Sequence, residues 1–294
     1  QENASKQVQY NGSAFAYEAV EAHSHDDGET WTALGLRHTL PTSSGHYYLT
    51  EDIELHKILE LTADQNYTLC LNGHNIIGDG VDYMINVRPG KVGSLTVCDC
   101  SENPGSFIPS FTSGNAGSVF RLEFTTAVAE YNVTLKDFVI DGLPGYDKCN
   151  TAIFLTEPEI NFLMEGVTVK NVVTDSAYGV LGINKDCKNV VIKDCVFQDN
   201  ITTAEKTGIV CVKAGADVQI TGCTFQENIN KATASAPVYV EASTALVDDC
   251  FITGNHGFIC SGVYAYNGAD VTINNTGFMG NETERRGGEN TYSG

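Results

Sequence analysis

One octapeptide pattern recurs along this chain and restricts its fold more than any other feature. Val190-Val191-Ile192-Lys193-Asp194-Cys195-Val196-Phe197 returns as Val218-Gln219-Ile220-Thr221-Gly222-Cys223-Thr224-Phe225. It returns again as Ala245-Leu246-Val247-Asp248-Asp249-Cys250-Phe251-Ile252 and as Val271-Thr272-Ile273-Asn274-Asn275-Thr276-Gly277-Phe278. Looser copies occupy 69–76, 95–102, 133–140 and 167–174. With the third residue of each copy as an anchor, the series runs Leu71, Val97, Leu135, Val169, Ile192, Ile220, Val247 and Ile273, at spacings of 26, 38, 34, 23, 28, 27 and 26 residues. A period in the twenties marks a solenoid, because each repeat is too short to bury an apolar face by itself and must stack on its neighbours.

The copies are apolar at alternate positions, the period of a strand with one face turned inward. A second strand precedes most of them, as in Val210-Cys211-Val212, Val238-Tyr239-Val240 and Val263-Tyr264-Ala265. Short strands in every coil, with no helix-length amphipathic stretch, predict an all-β, right-handed parallel β-helix of about eight or more coils. Two residues past the anchors stand Gly73, Asp99, Asp137, Asn171, Asp194, Gly222, Asp249 and Asn275. These residue types accept a left-handed backbone at a sharp bend. Eight past the last four anchors come Asn200, Asn228, Asn255 and Asn281, a stack of amides able to hydrogen-bond from coil to coil. The column after the bend (His74, Cys100, Phe138, Val172, Cys195, Cys223, Cys250 and Thr276) is expected to face inward. Cys195, Cys223 and Cys250 then act as small buried hydrophobes rather than disulfide partners.

Residues 1–44 fall outside the repeat and are assigned to an N-terminal cap and linker, with a short helix over 13–22. Residues 45–281 form the β-helix, and 282–294 a polar, Gly-rich linker, so the chain is expected to be part of a larger multidomain protein. Lys and Arg number 17 against 37 Asp and Glu, a net charge of −20 that opposes nucleic acid as a partner. No apolar run of about 18 residues is present, so no membrane insertion is expected.

Two stretches carry a family resemblance. One is His23-Ser24-His25-Asp26-Asp27-Gly28-Glu29-Thr30-Trp31-Thr32-Ala33-Leu34 followed by Leu40-Pro41-Thr42-Ser43-Ser44-Gly45-His46-Tyr47-Tyr48-Leu49-Thr50. The other is Leu69-Cys70-Leu71-Asn72-Gly73-His74-Asn75-Ile76-Ile77-Gly78, with Val97-Cys98-Asp99-Cys100 after it. Over roughly 23–103 the chain resembles secreted surface proteins of Gram-positive gut anaerobes that carry pectate-lyase-like β-helix repeats. The resemblance implies export, attachment at the cell wall or surface, and an adhesin-like role toward a host surface protein, mucin or other glycan. The same fold also carries lyases, glycosidases and inert spacers, so it does not choose an activity.

A uronate lyase needs a basic residue beside its substrate, yet Arg37, Arg88, Arg121, Arg285 and Arg286 leave 122–284 without an arginine. Lys136, Lys170 and Lys193 read as one outward, solvated column. A glycosidase needs two carboxylates about 5–9.5 Å apart, but Asp137, Asp194 and Asp249 are all bend residues. No catalytic residue is therefore assigned. No complete metal motif and no cofactor is expected either. The nearest sets are Asp79 with Asp82, for a structural calcium, and His23 with His25 and Asp26, for a transition metal. Tyr239 and Tyr264 occupy the same outward strand position on adjacent coils, with Tyr266 beside them; the structural reading is that they lie beneath a loop or pack on a neighbouring domain, and the functional one is that they offer apolar ring faces to a sugar. Long insertions are expected at 101–118 and 142–165. The resulting expectation is a non-catalytic extracellular binding module. The alternatives are a polysaccharide-active enzyme of the same fold and a structural spacer.

Overall fold

In a computed structural model of the chain, the recurring octapeptides stack into parallel sheets, forming an all-β parallel solenoid. The structure describes residues 5–10, 13–18, 25, 30–62, 64–88, 92–109, 117–123, 130–143 and 151–284. Among these a first sheet has ten strands, from Trp31–Leu34 to Asp270–Asn274. A second has nine, from Ile53–Leu55 to Gly277–Met279, and a third has eight, from Leu59–Leu61 to Val263–Tyr266. Eight successive rungs carry a strand in all three sheets, about seven turns from first to last. A short fourth sheet of five strands joins from Val173–Thr174 onward. No described helix is long and apolar enough to cross a membrane.

Apolar columns run the length of the bore. In the second sheet Ile140, Val169, Phe197, Phe225, Ile252 and Phe278 lie in one register, and the rings of Phe197 and Phe225 stack at 4.9 Å. Val169 thus belongs to this column and is not an anchor of the first sheet. The first-sheet register is Leu69, Val97, Leu135, Met164, Ile192, Ile220, Val247 and Ile273. The inward anchor of the Leu71 rung is thus Leu69, two residues before Leu71 and on the same face, and Met164 rather than Val169 is the first-sheet anchor of its rung. The strand Ile160–Glu165 is buried at five of its six positions, so alternation could not reveal it.

The corner after the first sheet carries Asp137, Gly166, Asp194, Gly222, Asp249 and Asn275, all at positive φ between 45° and 66°. Each of the first five donates its amide to the carbonyl before the corner of the next rung, as Asp194 does to Thr221 at 2.9 Å. A Cβ on Gly166 would overlap Asp137 Oδ1, and one on Gly222 would overlap Asp194 Oδ1, so glycine leaves room for the preceding rung's carboxylate. Gly73 and Asn171 are also left-handed, but at other positions: Asn171 lies in a second bend column with Asp199, Glu227 and Gly254. Accordingly Val172 is displaced from the column after the first corner, where Val167 sits, and Asn72 replaces His74. Cys195, Cys223 and Cys250 are buried free thiols whose Sγ atoms donate to carbonyls of Met164, Ile192 and Ile220.

The asparagine stack is continuous. Asn228 Oδ1 accepts from both the amide and Nδ2 of Asn200, at 3.0 Å each, and Asn228 Nδ2 donates to Phe197 O and to Asn255 Oδ1. Asn255 repeats this toward Asn281. Asn200, Asn228 and Asn255 are fully buried. A second, external ladder links Asn132, Asn161 and Asn189 through Nδ2-to-Oδ1 bonds of 2.9 and 2.8 Å.

The N-terminal segment departs from expectation. Ser13–Glu18 is a strand paired antiparallel with Ser5–Tyr10, not the start of a helix. In the sequence, Asn11-Gly12 between these two segments is a strong hairpin signal. Trp31–Leu34 already belongs to the first sheet, inside the stretch assigned to the cap. The expected insertions are also interrupted by coil strands at Ser106–Ile108, Ile153–Leu155 and Ile160–Glu165.

Asn228→Ala should lower stability by about 3 kcal/mol or more, because several buried groups lose partners worth about 1–3 kcal/mol each. Asn281→Ala, at a half-buried position, should cost less. Urea unfolding midpoints read the difference, and equal losses for the two variants would contradict the ladder's role.

Candidate functional site

On a parallel strand, residues between the inward ones point outward, and equal positions on successive rungs form a column. The outward column of the third sheet is Glu60, Asn86, Arg121, Phe154, Gly182, Cys211, Tyr239 and Tyr264. Its aromatic character is greater than the sequence indicated. Arg121 lies over the Tyr83 ring at 4.6 Å and bonds the Tyr83 hydroxyl and Glu123. Gly182 leaves a gap that Tyr178 fills, and the Tyr178 ring packs on Phe154 at 4.6 Å. Phe154 and Tyr178 were missed because Tyr178 lies in a turn and Phe154 in a strand of three residues.

At the C-terminal end, Tyr239 and Tyr264 stack at 5.7 Å with ring planes 10° apart, and Tyr264 meets Tyr266 at 6.4 Å. The shared register is as expected, but Tyr239 is not an exposed ring. It is fully buried, under Tyr264 on one side and with Lys213 Nζ 5.4 Å from its ring, and its hydroxyl donates to Glu241 Oε2. Lys213 is itself held by Ala177 O at 2.7 Å, so the 175–179 turn closes over this part of the face. Burial, and then the Glu241 carboxylate, hold the Tyr239 phenol well above its ordinary pKa. Burial likewise pushes the Cys211 thiol up to about 11. The accessible part of the site is Tyr264, half-buried, and Tyr266, 41% exposed, with Lys206 Nζ 5.4 Å from the Tyr266 ring.

Comparison with protein-family models, curated proteins and solved structures finds no match to this chain. The assignment of this face consequently rests on its own geometry.

The other candidates separate clearly. Lys136, Glu165 and Lys193 share one register, whereas Lys170 pairs beside Asp141 and Gln198 and leaves that column. Glu165 bridges the two lysines at 3.3 and 3.0 Å, so the stripe is an alternating ion-pair ladder. Burial raises the Glu165 carboxyl, but the bonds and charges of Lys193 and Lys136 outweigh it and hold the group below its ordinary value. Asp137 is shifted up, chiefly by burial, against the charge of Lys136 and with that of Glu165.

Asp79 and Asp82 are exposed, and neither falls in a cluster of three or more metal-ligating side chains among the described residues. Asp79 Oδ2 instead lies 3.2 Å from His56 Nε2. His38, Glu54 and His56 do cluster, but the two imidazoles stack at 4.1 Å with planes 10° apart. Their in-plane lone pairs cannot meet at one ion in that arrangement. His23 and Asp26 lie outside the described residues. His25 is described, and it stacks on Tyr48 at 4.1 Å with Trp31 edge-on at 5.0 Å.

Glu165 gives a pH dependence of defined sign. Its carboxyl is lowered in the folded chain, so its stabilisation is fully present above the unfolded value near 4.5 and disappears as the pH falls through the lower folded value. Glu165→Gln should therefore lower the urea midpoint at about pH 6 and flatten its fall toward about pH 3. Parallel curves for the two proteins would show that the ladder contributes nothing.

Proposed function

We propose that this chain is a non-catalytic binding module of an exported, cell-surface protein, contacting a host glycan or glycoprotein through the outer face of its third sheet. The observation that carries this reading is the pair formed by the half-buried Tyr264 and the exposed Tyr266, preorganised on the buried Tyr239 ring. Sugar rings have apolar faces that pack on aromatic faces, and a platform fixed by the rung beneath loses little entropy on binding. Lys206 and Glu241 supply polar groups at the rim. The net charge of −20 favours neutral sugars over sialylated or sulfated ones. The surface-protein resemblance of residues 23–103, with its pectate-lyase-like repeats and gut-anaerobe setting, supports the same location and role. The raised Asp137 beside the lowered Glu165 favours a polysaccharide-active enzyme. It is offset by the engagement of Glu165 with two lysines.

A glycan array of neutral mucin-type structures, followed by surface plasmon resonance, tests the proposal. Saturable binding without release of oligosaccharides is expected. Tyr264→Ala combined with Tyr266→Ala should weaken it roughly tenfold or more, at about 0.5–1.5 kcal/mol per ring. Tyr239→Ala should instead lower stability by roughly 3 kcal/mol, as removal of a buried aromatic does. Full binding by the double variant would sink the aromatic platform, oligosaccharide release would support the enzyme, and neither binding nor turnover would leave a spacer.

A further inference from the structure

Three side chains far apart in sequence meet at the N-terminal end of the solenoid. Cys70 closes the first-sheet strand Asn66–Cys70, in register with Tyr48 on one side and Cys98 on the other. Cys100 stands two residues beyond Cys98, at the position where later rungs place a buried thiol. Here it is exposed, because this rung turns differently. Asp99 is not left-handed. Its carboxylate instead accepts the amides of Gly73, Ser101 and Gly105, at 3.0, 2.7 and 2.7 Å. That wider bend carries Cys100 out of the bore and sets its Sγ 3.5 Å from Cys70 Sγ. His25, from the segment before the first solenoid strand, is held by the Tyr48 and Trp31 rings. Its ligating nitrogen and the two sulfurs all lie within 4.8 Å of one another.

We propose that His25, Cys70 and Cys100 form a binding site for a thiophilic divalent cation of the zinc class, with a fourth position open to water. A tetrahedral zinc has Zn–S near 2.3 Å and Zn–N near 2.0–2.1 Å, which places two sulfurs about 3.8 Å apart and sulfur and nitrogen about 3.6 Å apart. The observed 3.5 Å separation is close to that value. It is well outside the bonding distance of a disulfide, about 2.05 Å. Two thiolates with one imidazole suit zinc or copper(I) rather than calcium or magnesium. The Asp99 carboxylate beside them is committed to three backbone amides and is not a ligand. On loading, each thiol forms a bond to the metal and gives its proton to water, so one cation displaces two protons. The cation would tie the segment bearing His25 to the second and third rungs, a role independent of the tyrosine face.

Cobalt(II) is the probe. The reduced, chelator-treated chain is titrated with Co(II) under anaerobic conditions and then with Zn(II). One Co(II) per chain is expected, with thiolate-to-cobalt charge-transfer absorption and the intense visible bands of four-coordinate Co(II), both displaced by Zn(II). Alkylation of the folded chain should find the exposed Cys100 thiol reactive without metal and protected in the zinc-loaded protein. Cys100→Ser, at an exposed position that should not disturb folding, should abolish the charge-transfer band. His25→Ala should weaken binding tenfold or more, and Cys98→Ser should leave the band intact. Absence of a charge-transfer band in the reduced chain, or its survival in Cys100→Ser, overturns the proposal. So does a Cys70–Cys100 disulfide found by mass spectrometry in protein secreted into oxidising medium, which would make the pair a cross-link.

Discussion

Every rung of this solenoid depends on hydrogen bonds to the rungs above and below it, and the asparagine stack is where that dependence is strictest. Within a sheet, backbone amides and carbonyls pair along each strand. At a corner the chain changes direction and its polar groups would be stranded in the interior. Asn200, Asn228 and Asn255 solve this by answering the corner's backbone and each other with both ends of the amide. Removal of one amide leaves polar groups without water or partner on two rungs, so the defect spreads along the stack.

The same stacking decides where function is available. Residues facing the bore, including the Cys195–Cys223–Cys250 thiols, have no access to ligands. Outward columns do, but register brings like positions together, and neighbours then cover one another. Tyr239 illustrates the consequence: the ring above and Lys213 beside it convert an outward tyrosine into a support for Tyr264. Glu165 illustrates it for charge, since two lysines on adjacent rungs occupy it fully. Departures from the repeat have the opposite effect. The Asp99 bend turns Cys100 outward, whereas Cys195, Cys223 and Cys250 at the equivalent position face the core.

Most of the architecture was legible because a solenoid writes its contacts into the sequence at a fixed period. The anchors from Ile192 to Ile273 and the Asn200-to-Asn281 stack follow from spacing alone. Legibility failed where the period did. Met164 was hidden in an apolar run and Val169 took its place, and the antiparallel pairing of Ser5–Tyr10 with Ser13–Glu18 lies outside the repeat altogether. The candidate site was half legible. Tyr239, Tyr264 and Tyr266 stood out as a column, but Phe154 and Tyr178 did not, since one lies in a three-residue strand and the other reaches the face from a turn.

By itself the sequence determined the parallel stack, its left-handed corners and its amide ladder, because each repeats a local pattern whose neighbours are copies of itself. Only the tertiary structure decided which outward side chains meet solvent and which non-repeating residues meet each other. Burial of Tyr239 depends on what lies over it, and the approach of His25 to Cys70 and Cys100 joins positions 45 and 75 residues apart on different elements. Neither is encoded in any period. Both follow from the path of the chain through bends that the repeat does not govern.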